Sequence, residues 1–366
     1  MARADIKPEP DGGWSTEIVR LKDATVVPPV TSDMVQAAGI LRADGKYALR
    51  GALWRGGKPI TTQPEAPQGP VPKLSGRWLW GGVLWAHFGH FLAESTARLW
   101  ALEQSAPLDG ILYIPKRPRM GDQVHDFQRT FISLLGSDLP IKALAEPHKV
   151  EELVVPGQGF GLGTISAGTE PFRATFHQKF GADVAPDGPE RLYISRSALS
   201  GRRGGMMGEE KFETYLTEHG YQVFHPQKHD MRVQIARYKA ARQVIAGDGS
   251  ALHMFAMVGH PDQRVAMVLR RTSNVVDNLI QHLASFTGCP PLVIKALACE
   301  WLPPDKRRAS RMSFGELDLP ALQVTLRDNG FIADGPAWEP VTDTERAQVF
   351  EEKGLTGDKA YVRWQF

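Results

Sequence analysis

Between residues 185 and 300 the sequence alternates short apolar strands with amphipathic helices, and few folds accommodate that rhythm. Strands are expected at Arg191–Ser195, Tyr221–Phe224, Val244–Ala246, Arg264–Leu269 and Leu292–Leu297. Helices are expected at Glu209–His219, Val233–Ala241, Ser250–Val258 and Val275–Phe286. A strand followed by a crossover helix and another strand makes a βαβ unit, so the stretch reads as a Rossmann-type domain with a parallel sheet.

The first half is less regular. Strands are expected at Tyr47–Trp54, Trp78–Trp85, Gly110–Pro115, Ile141–Leu144 and Leu153–Val155, with helices at Phe88–Gln104 and Val124–Leu135. At 366 residues the chain has room for about two domains. The division expected is 1–184, 185–300, and a tail 301–366 that could cross back to the first domain. Residues 57–76 hold five prolines and read as a surface loop, and 156–163 (PGQGFGLG) as a glycine-rich crossing. With 42% hydrophobic and 23% charged residues the chain is an ordinary globular one, neither disordered nor a coiled coil. A formal charge of +2 offers no footprint for nucleic acid. Cys289 and Cys299 make neither a CxxC nor a zinc spacing, and are expected as two buried apolar thiols in a reducing cytoplasm. Met1–Pro10 has no apolar core, so no signal peptide is expected.

Three clusters could carry chemistry. The first is His87-Phe-Gly-His90-Phe-Leu-Ala-Glu94-Ser-Thr-Ala-Arg98. At about 100° per residue on one α-helix, His90, Glu94 and Arg98 fall within about 60° of His87. A carboxylate beside histidines suits a general base; the same groups could converge on a metal, or form a buried network between helices. Trp78, Trp80 and Trp85 precede this segment and could stack on sugar rings or simply fill the core. The second cluster, Leu192-Tyr-Ile-Ser195-Arg196 followed by Arg202-Arg203, puts a hydroxyl and guanidiniums at a strand's carboxyl end, where α/β sheets bind ligands. The third, Gly247-Asp248-Gly249-Ser250-Ala-Leu-His253, turns a strand into a helix whose free amides suit an anion, with Ser250 as candidate cap. It is neither GxGxxG nor a Walker A loop.

In this order, HFGHFLAESTARL, RLYISR and AGDGSALHMFAMV resemble glycosyltransferase family 61 over roughly residues 80–270. The resemblance implies a GT-B-like α/β architecture, two Rossmann-type domains facing a cleft. It implies an inverting transfer from a nucleotide-diphosphate sugar, a UDP-sugar favoured, to a glycan hydroxyl, with no metal or other cofactor. The partners implied are that donor and a glycan or lipid-linked glycan acceptor. A lipid-linked acceptor would draw a cytoplasmic protein to the inner face of the membrane, in bacterial polysaccharide or capsule assembly. Carried over by residue, Glu94 is the expected base, with His90 orienting or replacing it. Ser195, Arg196, Arg202, Arg203, Gly247, Gly249, Ser250 and His253 are the expected donor-binding residues, and His87, Arg98 and Trp85 lie on the acceptor side. The sequence departs from the family pattern at Gly208-Glu209-Glu210, where Asn-Glu is usual. It departs again at Arg270-Arg271, where an acidic residue is usual; the reversed charge could suit an acidic donor such as a uronic acid, but the arginines are expected in a solvated turn. Two other readings stay open, a metal-dependent hydrolase on His87, His90 and Glu94, and a non-catalytic nucleotide- or sugar-binding protein.

Overall fold

The computed structural model describes residues 7–11, 13–274 and 276–365. The chain is mixed α/β and divides into two compact units, Met1–Asp183 and Val184–Phe366.

The first unit is built on a six-stranded sheet. Its strands are β1 (Ile18–Val27), β2 (Gly39–Leu41), β3 (Lys73–Leu84), β4 (Gly110–Pro115), β5 (Ile141–Ala143) and β6 (His148–Pro156), in the order β2-β1-β6-β3-β4-β5. The four strands from β6 to β5 run parallel, and β1 and β2 add antiparallel pairs. All six residues of β4 are buried, as expected of a strand covered on both faces. Helices α1 (Asp126–Leu134) and α2 (Glu170–Lys179) follow β4 and β6. Two expectations fail here. Tyr47–Trp54 is a 3₁₀ turn at Leu49–Gly51 and a short strand at Trp54–Arg55. The expected helix 88–104 is a helical turn at Phe88–His90, a π-helical turn at Phe91–Ser95, and 3₁₀ turns at Leu99–Ala101 and Glu103–Ser105. Side chains compete with the helix there. Thr96 Oγ1 donates to Leu92 O (2.7 Å) and Ser95 Oγ to Val83 O (2.8 Å).

The second unit carries β7 (Arg191–Ile194), β8 (Gly205–Met207), α3 (Glu209–Glu218), β9 (Gln222–Phe224), α4 (Met231–Ala240), β10 (Gln243–Gly247), α5 (Ala251–Val258) and β11 (Arg264–Val268). After them come α6 (Val276–Thr287), β12 (Leu292–Ile294), β13 (Leu297–Leu302), β14 (Phe314–Leu317), α7 (Leu319–Asp328), α8 (Asp343–Glu352) and β15 (Val362–Trp364). Val275, where the sixth helix was expected to begin, lies outside the described residues. One sheet is wholly parallel in the order β9-β7-β10-β11-β12. Counted by position in the chain this is 2-1-3-4-5, a doubly wound order whose winding reverses between β7 and β10. A second sheet, β8-β14-β13-β15, takes in the segment expected as a tail. Residues 301–366 are thus built into this unit, and Leu322, Leu326, Trp338 and Val341 share one core with Tyr193 and Phe212. Burying each such side chain contributes about 1.5–3 kcal/mol. Cys299 is buried, but Cys289 is exposed, against the expectation of two buried thiols.

Candidate functional site

In the first unit, β3 and β4 are parallel neighbours, and the residues just past their carboxyl ends are Trp85 and Lys116. The His90 ring stacks on Trp85 with centroids 4.4 Å apart. His90 Nδ1 lies 2.8 Å from Glu94 Oε2. Arg55, from the short strand Trp54–Arg55, grips the same carboxylate with two donors, Nε to Oε1 (2.8 Å) and a terminal nitrogen to Oε2 (2.6 Å). The Arg55 guanidinium and Lys116 Nζ also lie 5.3 and 5.5 Å from the Trp85 ring centre. Lys116 Nζ is held by the carbonyls of Asp33 and Met34 and by Gln36 Oε1.

Glu94 is buried, and burial pushes its carboxyl up. Hydrogen bonds from His90 and Arg55 outweigh that and hold it below the usual carboxylate range. An ionised carboxylate only accepts, so the proton between the two groups sits on His90 Nδ1, and a neutral ring keeps its lone pair on Nε2. Burial, and secondarily the charge of Arg55, pushes Lys116 down to about 8.

Of the expected acceptor-side residues, Trp85 joins this group. His87 is exposed, its ring edge-on to His90 at 5.3 Å. Arg98 does not join. The π-turn breaks the assumed regular helical spacing, and the buried guanidinium donates to the carbonyls of Pro156, Arg50 and Ala52. Burial pushes it down to about 9. Arg55 and Lys116 were missed. Lys116 was findable, because it directly follows a buried parallel strand; Arg55, 39 positions before Glu94, gave no local signal.

In the second unit the winding reverses between β7 and β10, and the expected donor residues gather at the carboxyl ends of those strands. Arg196 lies along the Gly247–Gly249 turn. A Cβ on Gly249 would stand 2.6 Å from an Arg196 terminal nitrogen, and one on Gly247 would stand 3.3 Å from Arg196 Cδ and 2.9 Å from Met206 Cε. Only glycines admit that approach. The Arg196 amide donates to Glu209 Oε1 (2.7 Å), which also accepts from Tyr193 (2.9 Å) and Ser195 (3.4 Å). Burial pushes Glu209 up to about 7 despite the Arg196 amide.

Arg270 and Arg271, expected in a solvated turn, instead pack at the end of β11 against Asp248. Asp248 Oδ1 accepts from the Arg270 amide (3.0 Å), and the Arg270 and Arg271 Nε atoms stand 3.3 and 3.8 Å from its two oxygens. Two guanidiniums therefore flank one buried carboxylate, whose charge also reaches Arg196. Burial and then Arg270 push Arg196 down to about 10, and the same two causes lower Arg271. The buried Nε atoms of Arg196 and Arg271 find no hydrogen-bond acceptor among the described residues. Buried donors in a cationic cluster favour an anion.

Ser250 precedes α5 but its side chain makes no cap bond. His253 pairs with His282, Nδ1 to Nδ1 at 2.9 Å. Ser195 is buried against Glu209 and Glu213. Arg203 is exposed, and its carbonyl accepts from Arg196 at 3.4 Å; the side chain of Arg202 lies outside the described residues. Among the described residues no group of three or more His, Cys, Asp or Glu is placed to hold a metal ion, so His87, His90 and Glu94 do not make the triad a hydrolase needs. No helix among them is long and apolar enough to cross a membrane.

A family model described as Glycosyltransferase 61 matches residues 88–266. The match takes in His90, Glu94, Arg196 and the Gly247–Ser250 turn, and leaves out Arg55, Arg270 and Arg271. No curated protein matches the chain.

Proposed function

The chain is assigned to glycosyltransferase family 61 on its match over residues 88–266, and from that premise we propose an inverting, metal-independent transfer of a sugar from a nucleotide-diphosphate donor, a UDP-sugar favoured, to a glycan hydroxyl. The observation that carries it is the pairing of His90 with a buried, ionised Glu94. A base must have a free lone pair. The Glu94 carboxylate is engaged by His90 and doubly by Arg55, so His90 Nε2 is the better base. Glu94 is its positioning residue, fixing the tautomer and stabilising the imidazolium that forms. Of the two roles expected of His90, orienting Glu94 or replacing it, this takes the second.

In the reaction, the acceptor oxygen bonds to the anomeric carbon as its proton passes to His90 Nε2. The bond from that carbon to the phosphate oxygen breaks, and the electron pair leaves with the diphosphate. Arg196, Arg271 and the amides at Gly249–Ser250 stabilise that charge, the task a divalent cation performs in other sites. One displacement inverts the anomeric centre. The GT-B-like arrangement, two Rossmann-type domains facing a cleft, belongs to this reading. Its support is that each unit carries parallel strands with its charged residues at their carboxyl ends. A lipid-linked acceptor at the inner membrane face, in bacterial polysaccharide assembly, is the setting proposed.

Thermal melting with UDP, GDP, CMP and ADP forms, with and without EDTA, tests it. Ligand at about 100 times Kd adds about 2.7 kcal/mol. An EDTA-insensitive rise with one nucleotide family is expected; no rise with any of them would end the reading.

A further inference from the structure

Among the described residues the exposed large apolar side chains are Val30, Met34, Val35, Val324, Val362 and Trp364. Half of them fall in the loop 28–35, between β1 and Gln36, where Val30 is 86%, Met34 58% and Val35 53% exposed. Exposed apolar residues are ordinary when scattered singly and informative when grouped.

The backbone of this loop is fixed. Lys116 Nζ donates to the carbonyls of Asp33 and Met34 (both 2.8 Å) and to Gln36 Oε1 (2.7 Å). Gln36 Nε2 donates to the carbonyls of Thr31 and Lys116. A buried lysine and a buried glutamine are thus committed to the loop's main chain, while its apolar side chains stay outside. A loop held in this way has little freedom left to lose when it meets a surface.

The loop also borders the His90 site. Arg55 grips Glu94 with two nitrogens and reaches Met34 Sδ with the third (3.4 Å). Lys116 leads into Arg117 and Arg119, both exposed, and among the described residues neither pairs with a carboxylate. Asp33 is the single acid in the loop.

Three side chains are too few for a stable protein interface, which takes about 800 Å² from each partner. They are enough to enter the boundary layer of a bilayer, where apolar insertion and the attraction of arginines to anionic headgroups add together.

We propose that the first unit docks on an anionic phospholipid surface through Val30, Met34 and Val35, with Arg117 and Arg119 on the headgroups, and so brings His90 to acceptors held in that surface. The docking stands on the loop; what it delivers to His90 rests on the transferase reading.

Co-sedimentation of the full chain with vesicles of phosphatidylglycerol and phosphatidylcholine in equal parts, and of phosphatidylcholine alone, tests it. Four proteins are compared: wild type, Val30→Ser with Val35→Ser, Arg117→Ser with Arg119→Ser, and Val324→Ser on α7 as a control. All five side chains are exposed, so Tm should be unchanged in every variant. Met34 is kept because it touches Arg55. Wild type is expected to partition onto the mixed vesicles and far less onto phosphatidylcholine. The valine pair should weaken that partition about tenfold. The arginine pair should weaken it about tenfold or more, with the difference vanishing at high salt, and Val324→Ser should leave it alone. Wild type that stays off the mixed vesicles overturns the proposal, as does an unchanged partition in either pair or an equal loss in Val324→Ser. Sedimentation velocity without vesicles covers the other occupant: a dimer that the valine pair dissolves assigns the loop to a second copy and overturns the membrane. Melting with nucleotides on the same proteins keeps the two readings apart. A nucleotide response without vesicle binding overturns the docking alone, and vesicle binding without a nucleotide response overturns the transferase reading alone.

Discussion

The two charged clusters are made of similar parts and end in opposite states. In the first unit, Arg55 and His90 close on Glu94 until that carboxylate has little left to offer. In the second, Arg270 and Arg271 flank Asp248, Arg196 feels its charge, and the buried Nε atoms of Arg196 and Arg271 donate to nothing among the described residues. One cluster is satisfied and controls where a proton sits; the other leaves buried guanidinium donors unmatched, and on those the proposed anion site rests. The same contrast appears in the buried carboxyls: Glu94 is held low by its donors, Glu209 is pushed up to about 7 by burial. Burial alone does not fix a group's charge; the kind of donor facing it does, a guanidinium and an imidazole for Glu94 against a backbone amide and two hydroxyls for Glu209.

The largest test of this contrast is His90→Ala. It removes the proposed base without touching the anion cluster, so kcat should fall about 10²–10⁴-fold while nucleotide Kd stays put. A matching loss of nucleotide binding would show that the two clusters do not divide the work. Next is Arg271→Met, which removes one of the buried unmatched donors. A charged hydrogen bond is worth about 1.5–3 kcal/mol, so pyrophosphate and nucleotide should both bind about 10–100-fold more weakly, with more of the loss visible at low salt.

Stability against pH separates the two carboxyls by sign. Glu94 has a depressed folded pKa, so its contribution is complete above the ordinary value of 4.5 and fades as pH falls through the folded pKa. Glu94→Gln should therefore lower Tm at pH 7 and lose that effect in acid. Glu209 runs the other way. Between pH 4.5 and about 7 the unfolded chain ionises there while the folded chain keeps its proton, so stability falls across that window and is flat above it. Glu209→Gln should raise Tm at pH 8 and leave it unchanged at pH 4. Melting curves at three pH values decide both. The smallest effect is expected from Gly249→Ala. The new Cβ meets the movable end of Arg196, so Tm should hardly change, while nucleotide affinity drops a few-fold as the guanidinium is displaced.

What the sequence disclosed follows the range of each interaction. The β7-to-β12 alternation was legible because periodicity is local, and so was the His90–Glu94 pair, four positions apart. Arg196 and the Gly247–Gly249 turn were legible as two strand ends, although their contact was not. Arg98 was misplaced because regular helical spacing was assumed through a segment where Ser95 and Thr96 bond to the backbone instead. Arg270 and Arg271 were misread because arginines at a strand end look like surface until the Asp248 between them is seen. Lys116 stands where Arg196 does, directly after a buried parallel strand, Gly110–Pro115, so its position carries the same signal.

The docking of α8 beside α3 bears on how the protein comes into being. Lys211 and Glu345, which join the two helices, are 134 positions apart. At about 5–20 residues per second of synthesis, the doubly wound sheet leaves the ribosome well before α8 does. Until α8 arrives, Met206 and Phe314 face an open trough in place of a walled cavity. The nascent second unit is then a sheet with its apolar recess uncovered, a state in which self-association competes with completion of the fold.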